Sequence, residues 1–185
     1  VREPQLLMKR RHLDGMRKQA IPKGYSLRTY REGDERYWAR IISRAFGTEC
    51  SASVFAREIA EKEAFRPERV FFLTHKGEPV GTATAWTKPE LGRLSGYVHM
   101  VAIVPEHTRK GLGKVLTWTV LSYFKKEGFG SAFLHTDEHR LAAIKTYLEL
   151  GFEPVIREED ARRRWLEVFR ALRRPELAHR YCGEE

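Results

Sequence analysis

Cysteine is nearly missing from the sequence. Two residues in 185, Cys50 and Cys182, are too few and too far apart for a disulfide framework or a metal knuckle. They read as free thiols in a reducing compartment. Long apolar runs are missing as well. No stretch approaches the roughly 20 residues that a bilayer-spanning helix needs, so no membrane role is expected. The opening Val1-Arg2-Glu3-Pro4 lacks the apolar core of a secretory leader, and the expected location is cytoplasmic. There is no internal repeat and no low-complexity tract. At 42% hydrophobic and 32% charged residues, the balance excludes a disordered chain and suits one folded domain with a sizeable core.

Charge is plentiful but unevenly placed. The net charge is +9. Residues 1–24 hold seven Lys or Arg against two Asp or Glu, residues 25–155 hold 19 against 16, and residues 156–185 hold eight against seven. More than half of the excess therefore lies around Lys9-Arg10-Arg11 and Arg17-Lys18. Such a segment suits a polar, solvated helix or arm. Contact with nucleic-acid phosphates is the lesser reading of it.

Hydrophobic periodicity divides the rest. Ile21-Pro22-Lys23-Gly24 marks a turn, and Tyr25 to Tyr30 alternates as an edge strand. Gly33-Asp34 opens a helix with Trp38, Ile41, Ile42 and Phe46 on one face. Ser51 or Ser53 suits the start of a second helix carrying Phe55, Ile59 and Phe65. Val70–Thr74 and Val80–Trp86 flank a Gly-containing loop and form a hairpin. A further strand, Gly96 to Val104, stops at Pro105. Beyond it the pattern alternates: helix from Leu112 to about Glu127, strand Ser131–Thr136, helix around Leu141–Leu148, strand Phe152–Ile156, and a charged helix Asp160 to about Arg173. Pro175 is expected to end that helix and leave a short polar tail. The sum is one mixed α/β sheet, divided as an arm (1–24), a main domain (25–156) and a C-terminal helix and tail packed on it (157–185).

The most informative stretch is Val104-Pro105-Glu106-His107-Thr108-Arg109-Lys110-Gly111-Leu112-Gly113-Lys114. A strand ends, a basic Gly-rich turn follows, and an amphipathic helix begins at once. The first-turn amides of that helix lack internal acceptors, its dipole adds partial positive charge, and glycines let an anion approach the main chain. Two other Gly-rich patterns fail. A Walker A loop needs glycine at Thr108 and a hydroxyl at Val115, and a dinucleotide fingerprint needs a third glycine at Leu116.

Gly111 and Gly113 match the Arg/Gln-x-x-Gly-x-Gly/Ala loop of motif A in the GCN5-related N-acetyltransferases (GNATs), which this stretch resembles. Thr108 stands at the Arg/Gln position. A second segment, Arg140-Leu141-Ala142-Ala143-Ile144-Lys145-Thr146-Tyr147-Leu148-Glu149-Leu150-Gly151-Phe152, is similar to the family's motif B. Ala143, Tyr147, Gly151 and Phe152 are in register, and Arg140 replaces the usual Asn. Two motifs at this separation are far more specific than either alone, and the resemblance covers roughly residues 25–156.

The resemblance implies a GNAT fold: a mixed sheet of about six or seven strands, helices on both faces, and acetyl-CoA between strand 96–104 and strand 131–136. It implies that main-chain amides of Arg109, Lys110, Gly111, Leu112, Gly113 and Lys114 bind the pyrophosphate, with Arg140 and Ala143 alongside. It also implies an interrupted strand at Val101, Ala102 and Ile103, whose freed amides meet the pantetheine and the thioester carbonyl. Tyr147 is the candidate general acid, since a phenol with a pKa near 10 stays protonated at neutral pH. His99 is the candidate base. By simple alternation it shares a face with Tyr97, Val101 and Ile103, and His99-Met100-Val101-Ala102-Ile103 resembles the strand of the aralkylamine N-acetyltransferases. A structural histidine is the other reading of that position. Asp137 and Glu138 are weaker candidates for holding an amine. The acceptor is an amine of a small molecule or peptide, transfer is direct within a ternary complex, and no metal is implied. A non-catalytic acyl-CoA sensor and a nucleic-acid-binding protein stay open, as does a homodimer.

Overall fold

The computed structural model describes residues 4–183. Seven strands form one sheet: β1 (Leu6–Arg10), β2 (Tyr25–Thr29), β3 (Val70–His75), β4 (Glu78–Thr87), β5 (Ser95–Ile103), β6 (Ser131–Thr136) and β7 (Glu153–Pro154). Their order across the sheet is β2-β3-β4-β5-β6-β1-β7. Neighbours run antiparallel, except that β5 and β6 are parallel. The helices are α1 (Glu35–Phe46), α2 (Ala52–Phe55, continued by a π turn, Ala56–Ala60), α3 (Leu112–Lys126), α4 (Leu141–Glu149), α5 (Glu159–Ala171) and α6 (Pro175–Cys182). No helix among the described residues is long and apolar enough to cross a membrane.

The expected hairpin forms around Lys76 and Gly77, both at positive φ (50° and 85°), which is the backbone that a two-residue connection between twisted strands requires. Asp34 opens α1 from a buried position. Its carboxylate takes the Arg28 guanidinium with both oxygens (2.5 and 2.8 Å) and the Arg31 amide at 2.7 Å. The second helix is shorter than its apolar spacing suggests and ends at Ala60. Phe65 returns beyond it to stack edge-on against Tyr30 and Phe55.

α3 is the central helix. It buries Leu112, Val115, Leu116, Val120, Leu121 and Phe124 against the sheet. A Cβ at Gly96 would lie 2.5 Å from the Phe124 ring, so the close approach of α3 to β5 depends on a glycine there.

Two expectations about the ends of the chain are corrected. Within 1–24, residues 6–10 are neither helix nor arm. They form β1, paired along its whole length with β6 (Leu6↔Thr136 to Arg10↔Ala132) and flanked by β7. Alternation inside the basic run explains this. Leu6 and Met8 are 2% and 0% exposed, while Lys9 lies 4.9 Å over the Phe133 ring. The Arg10 guanidinium donates to the Leu150 carbonyl and, at 3.2 Å, to that of Asp14. Residues 1–3 of that segment lie outside the described residues. Pro175, which looked like a stop, starts α6 instead, since proline is tolerated in a first helical turn. Ala178 and Cys182 are buried, and the Tyr181 ring stacks on Phe169 at 6.2 Å.

Candidate active site

The interruption implied for the strand ending at Ile103 is present. Thr82 pairs with Ala102 and Thr84 with His99, so Met100 and Val101 stand opposite Ala83 alone. Two residues facing one make a β-bulge, and Met100 takes the left-handed conformation (φ 53°) that accommodates it. On its other edge β5 pairs with β6 only from Ser95 to Tyr97. Past Tyr97 the parallel strands part, and Val101, Ala102 and Ile103 border the opening.

The bulge also reverses a face. Gly81 looks toward α3, because a Cβ there would meet the Leu116 side chain at 3.1 Å. Ile103 pairs with Gly81 and shares that face, and Val101, two residues before it, does too. His99 pairs with Thr84 and Tyr97 with Trp86, on the opposite face. His99 accordingly stacks near Trp86 (5.9 Å) and Tyr97 (5.7 Å). Simple alternation placed His99 beside Val101 and Ile103; the extra residue turns it away from them.

Beyond β5, a turn at Pro105–His107 leads into the Gly-rich loop. Arg109 (φ 60°) and Gly111 (φ 73°) are both left-handed. The first α3 amides with an internal acceptor are those of Lys114 and Val115, both on the Gly111 carbonyl (3.1 and 3.2 Å). The amides of Arg109, Lys110, Gly111, Leu112 and Gly113 precede them, a row of main-chain donors at a positive helix end. The side chains there divide their work. Leu112 is core (1% exposed) and offers only its amide. Lys110 Nζ donates to the Tyr25 hydroxyl (3.3 Å) and the Glu106 carbonyl (3.4 Å), and Lys114 pairs with Glu149 at 2.9 Å. Thr108 closes the turn on the Pro105 carbonyl at 2.8 Å. The Arg109 guanidinium has no hydrogen bond or ion pair among the described residues.

Across the opening stands α4. Arg140 begins it, paired with Asp137 at 2.9 Å and lying 4.4 Å over the Phe46 ring of α1. Ala143 and Tyr147 follow one and two turns on. Burial pushes the Tyr147 phenol up to about 12; its hydroxyl has no hydrogen-bond partner among the described residues, and its ring meets Phe152 edge-on. One cleft of about 1380 Å³ joins all these pieces. Its wall includes Tyr97, His99, the bulge, the Gly-rich loop from Thr108 to Lys114 (Lys110 excepted), and Arg140, Ala143 and Tyr147.

Residues 35–152 match the profile described as the Acetyltransferase (GNAT) family. The chain belongs to that family. Mycothiol acetyltransferase from Streptomyces griseus is 31% identical over 137 residues, 71% of this chain and 44% of that protein. The Geodermatophilus obscurus protein of the same name is 30% identical over 159 residues, 80% of this chain and 51% of its own. The chain thus spans about half the length of the curated relatives it matches. Among solved structures, a GCN5-related N-acetyltransferase from Sphaerobacter thermophilus superposes with a TM-score of 0.68 at 20% identity, covering 81% of this chain and 48% of that one. The ribosomal-protein-S18-alanine N-acetyltransferase from Escherichia coli gives 0.59 at 23%, covering 71% and 79%. Both share the fold.

On this GNAT scaffold the face opposite α3 holds features that the sequence did not announce. The Tyr97 hydroxyl lies 2.9 Å from His135 Nδ1, and Lys88 Nζ sits 4.0 Å over the Tyr97 ring. Val54, Cys50 and Glu58 from the α2 region complete that wall. Parallel pairing of Tyr97 with Phe133 puts His135 on the Tyr97 face, and strand register is not written in either strand alone. Burial, helped by Lys88 and opposed by Glu58, lowers His99 to about 4. Burial also raises Tyr97 to about 12, so it is no base. Asp137 and Glu138 are held elsewhere: Asp137 by Gln5 (3.1 Å) and Arg140, Glu138 by Arg164.

Proposed function

We propose that this chain transfers an acetyl group from acetyl-CoA directly to an amine within a ternary complex. The observation that carries this reading is the single cleft in which the β5 bulge, the amides of Arg109 to Gly113 and the Tyr147 phenol converge. The residues fit the cosubstrate. A row of donors at a helix start suits a pyrophosphate, Arg109 has a guanidinium to spare, and the parted strands admit a narrow chain. Acetyl-CoA supplies the acetyl group and a thiol leaving group.

The protein's part follows from where its protons sit. The Tyr147 hydroxyl keeps its proton across the physiological range and delivers it to the departing sulfur. The segment Val101–Ile103, where β5 has parted from β6, would supply a main-chain donor for charge developing on the carbonyl oxygen. His99, uncharged at neutral pH, has a free lone pair to take the amine's proton, directly or through water. The bulge puts it on the face opposite the anion loop, so acceptor and cosubstrate approach the sheet opening from two sides.

Acetyl-CoA is expected to raise the melting temperature, and amines, amino acids, aminoglycosides and peptides are to be screened by thiol release, with the mycothiol-type acceptor that the relatives' name suggests as one arm. Thiol release dependent on an amine supports transfer. A melting shift with no release from any acceptor supports an acyl-CoA sensor instead.

A further inference from the structure

Beside the Gly-rich loop lies a cluster that the transfer chemistry does not use: Tyr25 of β2, His75 of β3, His107 of the Pro105–His107 turn, and Lys110. The Tyr25 hydroxyl is 2.7 Å from His107 Nδ1 and Lys110 Nζ is 3.3 Å from the same hydroxyl. The imidazoles of His75 and His107 stand 4.9 Å apart, with the Tyr25 ring 4.8 Å from His75 and edge-on to His107 at 5.6 Å.

The ammonium sets the direction at one end of this chain. An ammonium only donates, so the Tyr25 oxygen accepts from Lys110. His107 Nδ1, at 2.7 Å, is then the acceptor within reach of the phenol hydrogen, and the tautomer with a bare Nδ1 satisfies both groups. In that tautomer a neutral His107 carries its proton on Nε2, and this N–H has no partner among the described residues. His107 also forms part of the cleft wall. The chain Lys110–Tyr25–His107 therefore ends in a polarised donor beside the anion loop. The nearby carboxylate, Glu106, is engaged by Arg44, which tempers its repulsion of an anion.

We infer that His107, backed by Tyr25 and Lys110, forms a subsite for a phosphate monoester, the 3′-phosphate of CoA. This rests on the acetyl-CoA reading above. The amides of Arg109 to Gly113 are matched to the pyrophosphate. The remaining phosphate hangs from the adjoining ribose, a short reach away, and His107 precedes the amide row by two residues. Lys110 serves both sites, its amide in the row and its ammonium in the cluster. A hydrogen bond from His107 and the charge of Lys110 would then make the protein discriminate CoA from its 3′-dephospho form.

Titration calorimetry with CoA and 3′-dephospho-CoA tests this in wild type, His107→Ala and Tyr25→Phe. Wild type is expected to favour CoA by about tenfold or more, the scale of one charge-assisted hydrogen bond. His107→Ala should bring the ratio close to one while leaving the affinity for dephospho-CoA unchanged. Tyr25→Phe keeps the ring stack and breaks the relay, so it should lower the same ratio. Taking the ratio of two ligands cancels general damage to the fold. A wild-type ratio near one, or a ratio unmoved in His107→Ala, overturns the subsite and leaves the cosubstrate reading standing. Failure of both ligands to bind overturns the two together.

Discussion

Tyr147 and His99 are pushed in opposite directions by the same cause. Burial disfavours charge on either, so the phenol holds its proton and the imidazole refuses one, which matches an acid and a base at neutral pH. Tyr147→Phe is expected to lower turnover by about a hundredfold while acetyl-CoA affinity stays within about threefold, separable by steady-state kinetics and calorimetry. For His99 the sign is set by its lowered value. Unfolded, the ring protonates near 6.5; folded, only near 4. Between those values the unfolded chain binds more protons. Stability therefore falls as pH drops through that window, by up to about 3 kcal/mol, and His99 adds no pH dependence above it. Denaturation of wild type and His99→Gln at pH 7 and pH 4.5 checks this: the gap between the two should change with pH in that direction, and a constant gap would contradict the burial account. If His99 takes the amine's proton, the acid limb it contributes to kcat/KM should also lie near 4. At this scale, the places of Gly111, Gly113 and Tyr147 on one cleft were legible, because fixed spacings set the glycines at a helix start and the tyrosine on one helix face. The Tyr97–His135 pair was not, since it arises from the register of two strands far apart in sequence.

Among the elements, β5 decides the most. Its composition predicts a strand, and it is one. The bulge at Met100 entered the sequence reading only through resemblance, because no glycine or proline marks it and a methionine carries the positive φ. Simple alternation then assigned His99 the wrong face. The approach of α3 was likewise hidden, although Gly96 now gives a sharp test of it. Gly96→Ala would press a methyl group into the Phe124 ring and is expected to cost about 1–3 kcal/mol from overpacking, read by urea denaturation. An unchanged midpoint would mean that α3 sits farther from the sheet than described.

For the whole molecule, the mixed sheet and the order of elements from Tyr25 to Pro154 followed from periodicity and turn residues. The ends did not. A basic run concealed β1, a strand of five residues whose partners, β6 and β7, lie more than a hundred residues away. Met8 separates the two views of that segment. In a solvated arm Met8→Ala would be nearly silent; in β1, where Met8 is fully buried, it should cost about 2–4 kcal/mol by thermal or chemical denaturation. The strand also braces the site, since Arg10 holds the carbonyl of Leu150 at the end of the helix that carries Tyr147. Loss of β1 should therefore weaken turnover along with stability.

All of this converges on how a phosphate-bearing cosubstrate would be gripped by main chain. Amide chemical shifts recorded during titration with acetyl-CoA test that most directly. Large, saturable shifts are expected at Arg109 to Gly113, with smaller ones along Val101–Ile103. Saturable binding that leaves those five amides unmoved, with the shifts gathered elsewhere, would contradict a main-chain grip.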